Sequence, residues 1–482
     1  MNNNGFVSFI GAGPGDIGLI PAKAISRLEN ADIILYDRLV NPLLLEYCHE
    51  HAELIYCGKL PDRHLLRQEV INDLILEHAI NGKTVVRLKG GDPGVFGRVG
   101  EEIVALEQNQ IMYEIIPGIT SGIAAPLYAG IPVTHRDIST SFAIVTAHNR
   151  HGSSTINWQA LAEGVDTIAF YMGIKNLNEI THNLMKFGRE PDEPVKIIQW
   201  GTLNKQRTLT TTLANAVEQV KEEGISNPAI TLVGQVAGLD QGIKSWFERS
   251  PLFGKHILLA RSTAQPGKIG SQLRDLGAEV FQYPRWSTKE EPFPENLHPN
   301  NYSQISFETK DSVQWFFNWI HRLNVDVRHI KASIVSLTKS AEQALIEKGL
   351  QEDPSNQDTN VSTLLLGTHP PELERASLTF QSTHTLKPFR QSNQTLKRML
   401  EENRVDYIVF PNARAVSTVV EGLKEIDITP LELSHEVSVV CFGKMSLQAA
   451  TKCGFTVTHT LEHPETDLFI QWLTSQNKEV HK

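Results

Sequence analysis

Cysteine is scarce in this chain: four residues in 482 (Cys48, Cys57, Cys441 and Cys453), none in a CxxC pair. A disulfide-stapled scaffold is thereby excluded, and the four are expected to be packing residues in a reducing compartment. The 18 histidines form no HExxH and no Cys/His cluster with ligand spacing, so no metal is expected. Long apolar runs are lacking too. The longest weakly polar stretch, Ser121 to Val133, contains Pro126 and Pro132 and falls short of the ~20 residues a membrane-spanning helix needs. Nor is there an excess of basic charge. With 55 acidic against 45 basic side chains, a polyanion-coating surface and a nucleic-acid partner are not expected. Met1 to Gly5 offers no basic n-region, so the expectation is a cytoplasmic protein without a secretory signal.

What is present is an ordinary globular composition, 40% apolar and 21% charged, over a length that suggests roughly three domains. The most informative stretch is Thr84 to Leu106, TVVRLKGGDPGVFGRVGEEIVAL. Thr84 to Leu88 reads as a buried strand running into Gly90-Gly91-Asp92-Pro93, where two glycines permit close backbone approach and Pro93 stops the strand. Glu101 and Glu102 then precede an apolar run, as a helix entry favours. Upstream, the strand Phe6 to Ile10 ends in Gly11-Ala12-Gly13-Pro14-Gly15-Asp16, followed by a helix over Ala22 to Glu29. This imitates a dinucleotide fingerprint, but Asp16 stands where GxGxxG needs its third glycine and Pro14 removes an amide, so a nicotinamide or flavin enzyme is rejected.

The strand Ile33 to Tyr36 leads into Asp37-Arg38, and Leu54 to Tyr56 leads to Gly58-Lys59. Charged residues at the carboxyl ends of strands in an open α/β sheet lie where ligands bind. Glu114 to Ile116 then precedes Pro117-Gly118-Ile119-Thr120-Ser121, where Thr120 and Ser121 open a small-residue helix, and Arg136 follows Gly130 to His135.

Together these segments resemble the uroporphyrinogen branch of the tetrapyrrole methylase family. The matching motifs are GAGPGD (Gly11 to Asp16), YDRLV (Tyr36 to Val40), Gly58-Lys59, RLKGGDP (Arg87 to Pro93), Pro117-Gly118 with Thr120-Ser121, AGIPVTHR (Ala129 to Arg136), YMG (Tyr171 to Gly173) and QWGT (Gln199 to Thr202). The resemblance implies methylation of uroporphyrinogen III at two ring carbons to precorrin-2, a branch point towards sirohaem, cobalamin and haem d1. S-adenosyl-L-methionine is the implied co-substrate, and a homodimer without membrane attachment the implied assembly. It also implies site residues. Pro14, Gly90, Gly91, Asp92, Val95, Thr120, Ser121, Met172, Gly201 and Ala229 would hold the co-substrate. Arg38, Arg98, Glu101, Arg136 and Met172 would face the tetrapyrrole, whose carboxylates suit guanidinium partners. Asp37 and Lys59 take the positions of proton acceptor and donor, with Arg136 a third catalytic candidate. Gly94, Val99, Pro21 and Val70 depart from the pattern without removing a charged candidate.

Beyond Gly234 the pattern fades. Residues 244–254 read as a linker, and Lys255 to Arg261 starts a new strand. The helix Lys268 to Leu276 and strand Glu279 to Tyr283 complete a βαβ-like unit, and the four prolines of Pro284 to Pro299 mark a crossing into another lobe. Further strands are expected at Gln304 to Phe307, Ala332 to Leu337, Val361 to Gly367, His384 to Phe389, Asp406 to Phe410, Val437 to Cys441 and Phe455 to His459. This half is similar to the uroporphyrinogen-III synthase family through Arg261, Ser312-Val313, Ala415-Val416, Phe442 to Ser446 and Gly454. It departs at Pro411-Asn412 and Glu308-Thr309, where a Thr-Ser pair is usual, at Leu337 and Leu366, and in lacking a tyrosine near His384. Two outcomes follow from the resemblance: cyclisation of hydroxymethylbilane, or a structural or channelling module. The expected architecture is α/β throughout: a two-lobed tetrapyrrole methylase fold (1–243, lobes meeting near 117), then a two-lobed α/β synthase-like module in 255–482. Of the latter, 255–286 with 390–482 form one lobe and 289–389 the other.

Overall fold

A computed structural model of the protein describes residues 5–58, 68–147, 156–239, 245–264, 267–351, 361–368, 370, 377–463 and 465–480. The first sheet holds β1 (Phe6–Gly11), β2 (Ile33–Tyr36), β3 (Glu53–Tyr56), β4 (Thr84–Lys89) and β5 (Met112–Ile116), all parallel, in the order β3-β2-β4-β1-β5. Helices α1 (Ala22–Glu29), α2 (Gln68–Ile80) and α3 (Val99–Gln108) connect them. Val7, Phe9 and Ile10 on β1 and Val85, Val86 and Leu88 on β4 are all fully buried. Parallel strands covered on both faces need such uninterrupted apolar runs. Helix α4 (Ser121–Tyr128) leads to a second sheet of β6 (Phe142–Thr146), β7 (Thr167–Tyr171), β8 (Pro194–Gln199), β9 (Arg207–Thr212) and β10 (Ala229–Val233). Its order is β6-β7-β10-β8-β9; β6 and β7 are parallel and the other pairs antiparallel. Helices α5 (Trp158–Gly164), α6 (Leu177–Lys186) and α7 (Ala216–Glu222) complete this lobe.

Residues 245–254, expected as a linker, are packed. Leu252 is fully buried, and the Phe247 ring lies 4.8 Å from Tyr128 and 5.1 Å from Phe253. The third sheet contains β11 (His256–Ala260) and β12 (Glu279–Tyr283), joined by α8 (Ile269–Asp275). Next, β13 (Trp286–Glu290) forms a strand where only a polar crossing was expected. The outer lobe follows with β14 (Gln304–Phe307), α9 (Lys310–Arg322), β15 (Ser333–Ser336), α10 (Lys339–Glu347), β16 (Thr363–Gly367) and β17 (Leu378–Ser382), its parallel sheet ordered β15-β14-β16-β17. The return strand β18 (His384–Pro388) pairs antiparallel with β13 from Trp286↔Pro388 to Glu290↔His384. Two strands thus join the lobes. The chain re-enters the third sheet through α11 (Arg390–Glu401), β19 (Tyr407–Phe410), α12 (Ala413–Glu425), α13 (Pro430–Glu436), β20 (Ser438–Phe442), α14 (Lys444–Lys452), β21 (His459–Leu461) and α15 (Thr466–Val480); the sheet is parallel, ordered β12-β11-β19-β20-β21. The strand expected over Phe455 to His459 lies later, at His459–Leu461, because Phe455 turns inward and packs its ring 5.1 Å from Phe410.

The departures at Glu308-Thr309 and Pro411-Asn412 keep one local function. Thr309 caps α9 through a capping box with Ser312, and the Asn412 side chain accepts from Ala415 N to cap α12. The two halves share a seam. Leu43, from the short 3-10 segment Pro42–Tyr47, is buried in the same apolar cluster as Leu258, Phe281, Met399 and Phe410.

Candidate active site

The carboxyl ends of β1 and β4, neighbours at the centre of the first sheet, carry the two glycine-rich turns. Gly13 N donates to Gly91 O (3.2 Å) and Gly91 N to Gly13 O (2.7 Å), so the turns hold each other as an isolated bridge. Both residues have positive φ, +74° and +70°. The Pro117-Gly118 turn locks in from the third side. A Cβ on Gly11 would lie 2.4 Å from Gly118 N and 2.7 Å from Gly91 O, so neither Gly11 nor Gly118 tolerates a side chain. Asp92 ties the same turns together, accepting from Gly118 N at 3.0 Å and from Gly94 N at 2.7 Å. Gly91 differs from its neighbours: a Cβ there would meet only Thr120 Cα, at 4.0 Å. The turn therefore faces open space that backbone lines. Pro14 is half-buried beside Gly13, and Val95 N closes a turn onto Asp92 O at 3.2 Å.

The second lobe closes on this floor through Tyr171. Its hydroxyl bonds Thr120 Oγ1 and accepts from Gly122 N at the start of α4, beside Ser121, while its ring meets Phe96 edge-on at 5.3 Å. Met172, next in the chain, is 45% exposed with a left-handed φ of 53°, an uncommon backbone state for a side chain left in solvent. Gly201 packs against α4, where an added Cβ would lie 2.4 Å from Ala125 Cβ, and Thr202 Oγ1 accepts from Asp16 N at 3.2 Å. Ala229 opens β10 at the same end of the sheet, with its side chain in the lobe's apolar core. Tyr171 and Phe96 were missed as site residues. Tyr171 opens the quoted YMG motif and Phe96 lies three residues past RLKGGDP, but rings adjoining glycine turns read equally well as core.

Asp37 and Arg38 form a turn off β2 beside this floor; Leu39 Cβ would stand 3.1 Å from a Cβ on Gly90. The Asp37 carboxylate accepts from Arg87 Nη2 at 2.6 Å, and Arg38 is exposed. Beneath lies a buried network built on Arg87 and Lys89 of the RLKGGDP motif, whose pairing with Glu102 the sequence did not show. Arg87 Nε (3.1 Å) and Lys89 Nζ (2.7 Å) share the carboxylate of Glu102, on which Gln68 also donates at 2.9 Å. Burial opposes charge on Arg87, but the carboxylates of Asp37 and Glu102 outweigh it and its pKa rises. For Lys89, burial and the neighbouring Arg87 lower it. Arg98 caps α3 in a left-handed conformation and is held bidentately by Glu101, at 2.8 and 2.5 Å. Arg136 is placed apart. It is exposed on a turn closed by the His135↔Ser139 bridge, and Ser139 bonds Thr167 Oγ1 at 2.6 Å, which puts that turn at the amino end of β7, opposite Tyr171. Lys59 lies outside the described residues.

In the C-terminal half, Arg261 follows β11 and donates to the carbonyls of Thr263, at 3.1 Å, and Ala264. Burial lowers its pKa against the pull of Glu46 and Asp311. Ser312-Val313 and Ala415-Val416 occupy the first turns of α9 and α12, and Gly443 introduces α14 with φ +84°.

Residues 7–217 match the family model for tetrapyrrole (corrin/porphyrin) methylases, and residues 381–471 match that for uroporphyrinogen-III synthase HemD. The chain is 39% identical over 484 residues to a uroporphyrinogen-III C-methyltransferase of Bacillus subtilis (strain 168), covering 99% of both. It belongs to the tetrapyrrole methylase family. The tetrapyrrole methylase half is also 55% identical over 233 residues to a uroporphyrinogen-III C-methyltransferase of Priestia megaterium, covering 98% of that protein and 48% of this chain. Among solved structures, the uroporphyrin-III C-methyl transferase of Thermus thermophilus complexed with S-adenyl homocysteine is similar at 35% identity and TM-score 0.43, covering 49% of this chain and all of that one. This tetrapyrrole methylase thus carries a HemD-like region in the same polypeptide.

Proposed function

We propose that the chain methylates uroporphyrinogen III at two ring carbons in succession, giving precorrin-2, with S-adenosyl-L-methionine as methyl donor. The observation that carries this reading is the mutual bridge of Gly13 and Gly91, which leaves an open, backbone-lined floor beside the Asp37–Arg38 turn. A sulfonium supplies an electrophilic methyl and its own leaving group, so the protein has to align, grip and move a proton. Gly90, Gly91, Asp92, Thr120 and the exposed Met172 line the donor's place. Arg38 and Arg98 grip carboxylates of the macrocycle, Arg98 by exchanging its bond to Glu101. The methylated carbon bears a carboxylate side chain and no hydrogen, so the positive charge gained with the methyl group is released as a proton from elsewhere on the macrocycle; Asp37, oriented by Arg87, accepts it, and Lys59 is the proton donor. Arg136 serves the far end of the substrate from its turn. The exposed Ile123 and Leu127, four apart on α4, with Ile115 and Ile119 nearby, supply an apolar face for a homodimer. No described helix is long and apolar enough to cross a membrane.

The C-terminal half cyclises hydroxymethylbilane to uroporphyrinogen III between its lobes. A second reading, a structural module, draws support from the many bonds this half makes to the methylase half. A coupled assay tests both. The full chain, given hydroxymethylbilane and methyl-labelled donor, should form doubly labelled precorrin-2, and isomer III should exceed the spontaneous type I product. In Arg98→Ala or Arg136→Ala, turnover on uroporphyrinogen III should vanish while S-adenosylhomocysteine still binds; unchanged turnover in both variants removes the substrate assignment.

A further inference from the structure

Besides Asn204, which donates to Lys255 O at 2.7 Å, the seam between the halves draws on residues 38–52, downstream of β2. Three side chains of the C-terminal half donate to backbone carbonyls there. Gln391 Nε2 reaches Glu50 O (2.7 Å) and Ala52 O (3.1 Å), and Arg285 Nη1 reaches Cys48 O (2.7 Å) and Glu46 O. Arg398 Nη2 reaches Arg38 O (2.6 Å) and Val40 O (2.9 Å). The third differs in what it holds. Its acceptors lie within the turn that carries Asp37 and Arg38, and Val40 N donates to Asp37 O across that turn at 3.2 Å.

The guanidinium is itself fixed. It lies over the rings of Tyr36 (5.6 Å), which precedes the turn, and Tyr56 (5.4 Å), its neighbour at the end of β3, the two ring centroids being 5.3 Å apart, and Nε pairs with Glu402 Oε1 at 2.8 Å. The Arg398 side chain is only 11% exposed, whereas Arg38 and Leu39 are exposed and do not pack the turn down themselves. Val40 anchors the far side of the turn in the core, and a charged donor with one nitrogen shared by two carbonyls adds a directional constraint on the backbone, because its bonds are short and partly shielded from water. Neither side chain of the turn needs to touch Arg398 for their aim to depend on it.

We propose that Arg398 is a positioning residue for methyl transfer: through the carbonyls of Arg38 and Val40, the synthase-like half sets the turn that presents Asp37 and Arg38 to the tetrapyrrole. This rests on the reading that the turn faces that substrate. The methylase half thus completes its substrate grip only with its fused neighbour in place.

Steady-state methyl transfer by the full chain tests it, with Arg398→Ala, Arg398→Lys and, as a seam control away from the turn, Gln391→Ala. Arg398→Ala should raise KM for uroporphyrinogen III by about tenfold, since misplacement of a gripping group by a fraction of an ångström has effects of that order. S-adenosylhomocysteine affinity should stay within about twofold, because the glycine floor is untouched. Arg398→Lys should recover part of the loss, an ammonium reaching one carbonyl in place of two, and Gln391→Ala should leave KM unchanged. An unmoved KM in Arg398→Ala overturns the proposal, as does an equal rise in Gln391→Ala, which would indicate general loosening of the seam. Absence of wild-type turnover on uroporphyrinogen III overturns the substrate reading first and this proposal with it; normal wild-type turnover with an unmoved KM overturns this proposal alone.

Discussion

Glu102 shows how much a single carboxylate organises here. It is 1% exposed and stands between Arg87 and Lys89, both nearly fully buried, while Asp37 takes the remaining face of Arg87. Two cations and two carboxylates balance, and only Asp37 reaches the crevice. Substituting Glu102→Gln leaves the buried cations with one carboxylate between them. Breaking a buried pair in this way costs about 3–5 kcal/mol, so the urea midpoint should fall markedly. In the double variant Glu102→Leu with Lys89→Met most of that loss should be restored, because an apolar pair of similar volume removes the stranded charge along with its partner. A single variant as stable as wild type would show that the network is dispensable.

At the scale of elements, the strand ends line the crevice, and a strand joining the lobes of the C-terminal half carries a buried histidine. Turns after β1, β4 and β5 meet because Gly11, Gly91 and Gly118 allow backbones to touch. At the start of β18, His384 is fully buried, bonded to Thr383 Oγ1 at 2.8 Å, stacked on Trp315 and 3.9 Å from Asp311. Burial lowers its pKa from 6.5, against the opposing carboxylates of Asp311 and Glu308 and with Arg414 adding to the lowering. Its folded pKa therefore lies below the unfolded one. The contribution of the neutral ring is complete above pH 6.5 and is lost as pH falls through the folded pKa, since the unfolded chain takes up the proton first. Urea unfolding followed from about pH 7 down to 5 should show this loss, and His384→Gln should flatten that limb. An identical slope in the variant would assign the loss to other groups.

Across the whole molecule, the two halves are built as one. Leu43, 5% exposed, belongs by sequence to the methylase half and by packing to the core of the C-terminal sheet. Leu43→Ala removes buried surface at the seam and should cost about 2–5 kcal/mol. Because the loss falls on the joint, calorimetry should show the joint transition of the wild type splitting into two. A single transition with an unchanged midpoint would mean that the halves are not coupled through this residue.

Which parts were legible from the amino acids follows from range. Thr84 to Pro93, Phe6 to Asp16 and Ile33 to Val40 are each a strand and the turn that ends it, and the apolar run and the glycine, proline or charged residues that end it lie within about a dozen residues of one another. Local chemistry therefore determined β1, α1, β2 and β12 to the residue or nearly so, together with the turns that line the crevice. Only the tertiary structure decided that Asp37 pairs with Arg87, that Arg136 sits at the far end of β7, and that Arg398 reaches back 360 residues to Arg38. Those contacts join positions whose identities do not constrain each other locally, so neither periodicity nor turn chemistry records them; they exist because packing two sheets and a seam brings otherwise ordinary charges within hydrogen-bond reach.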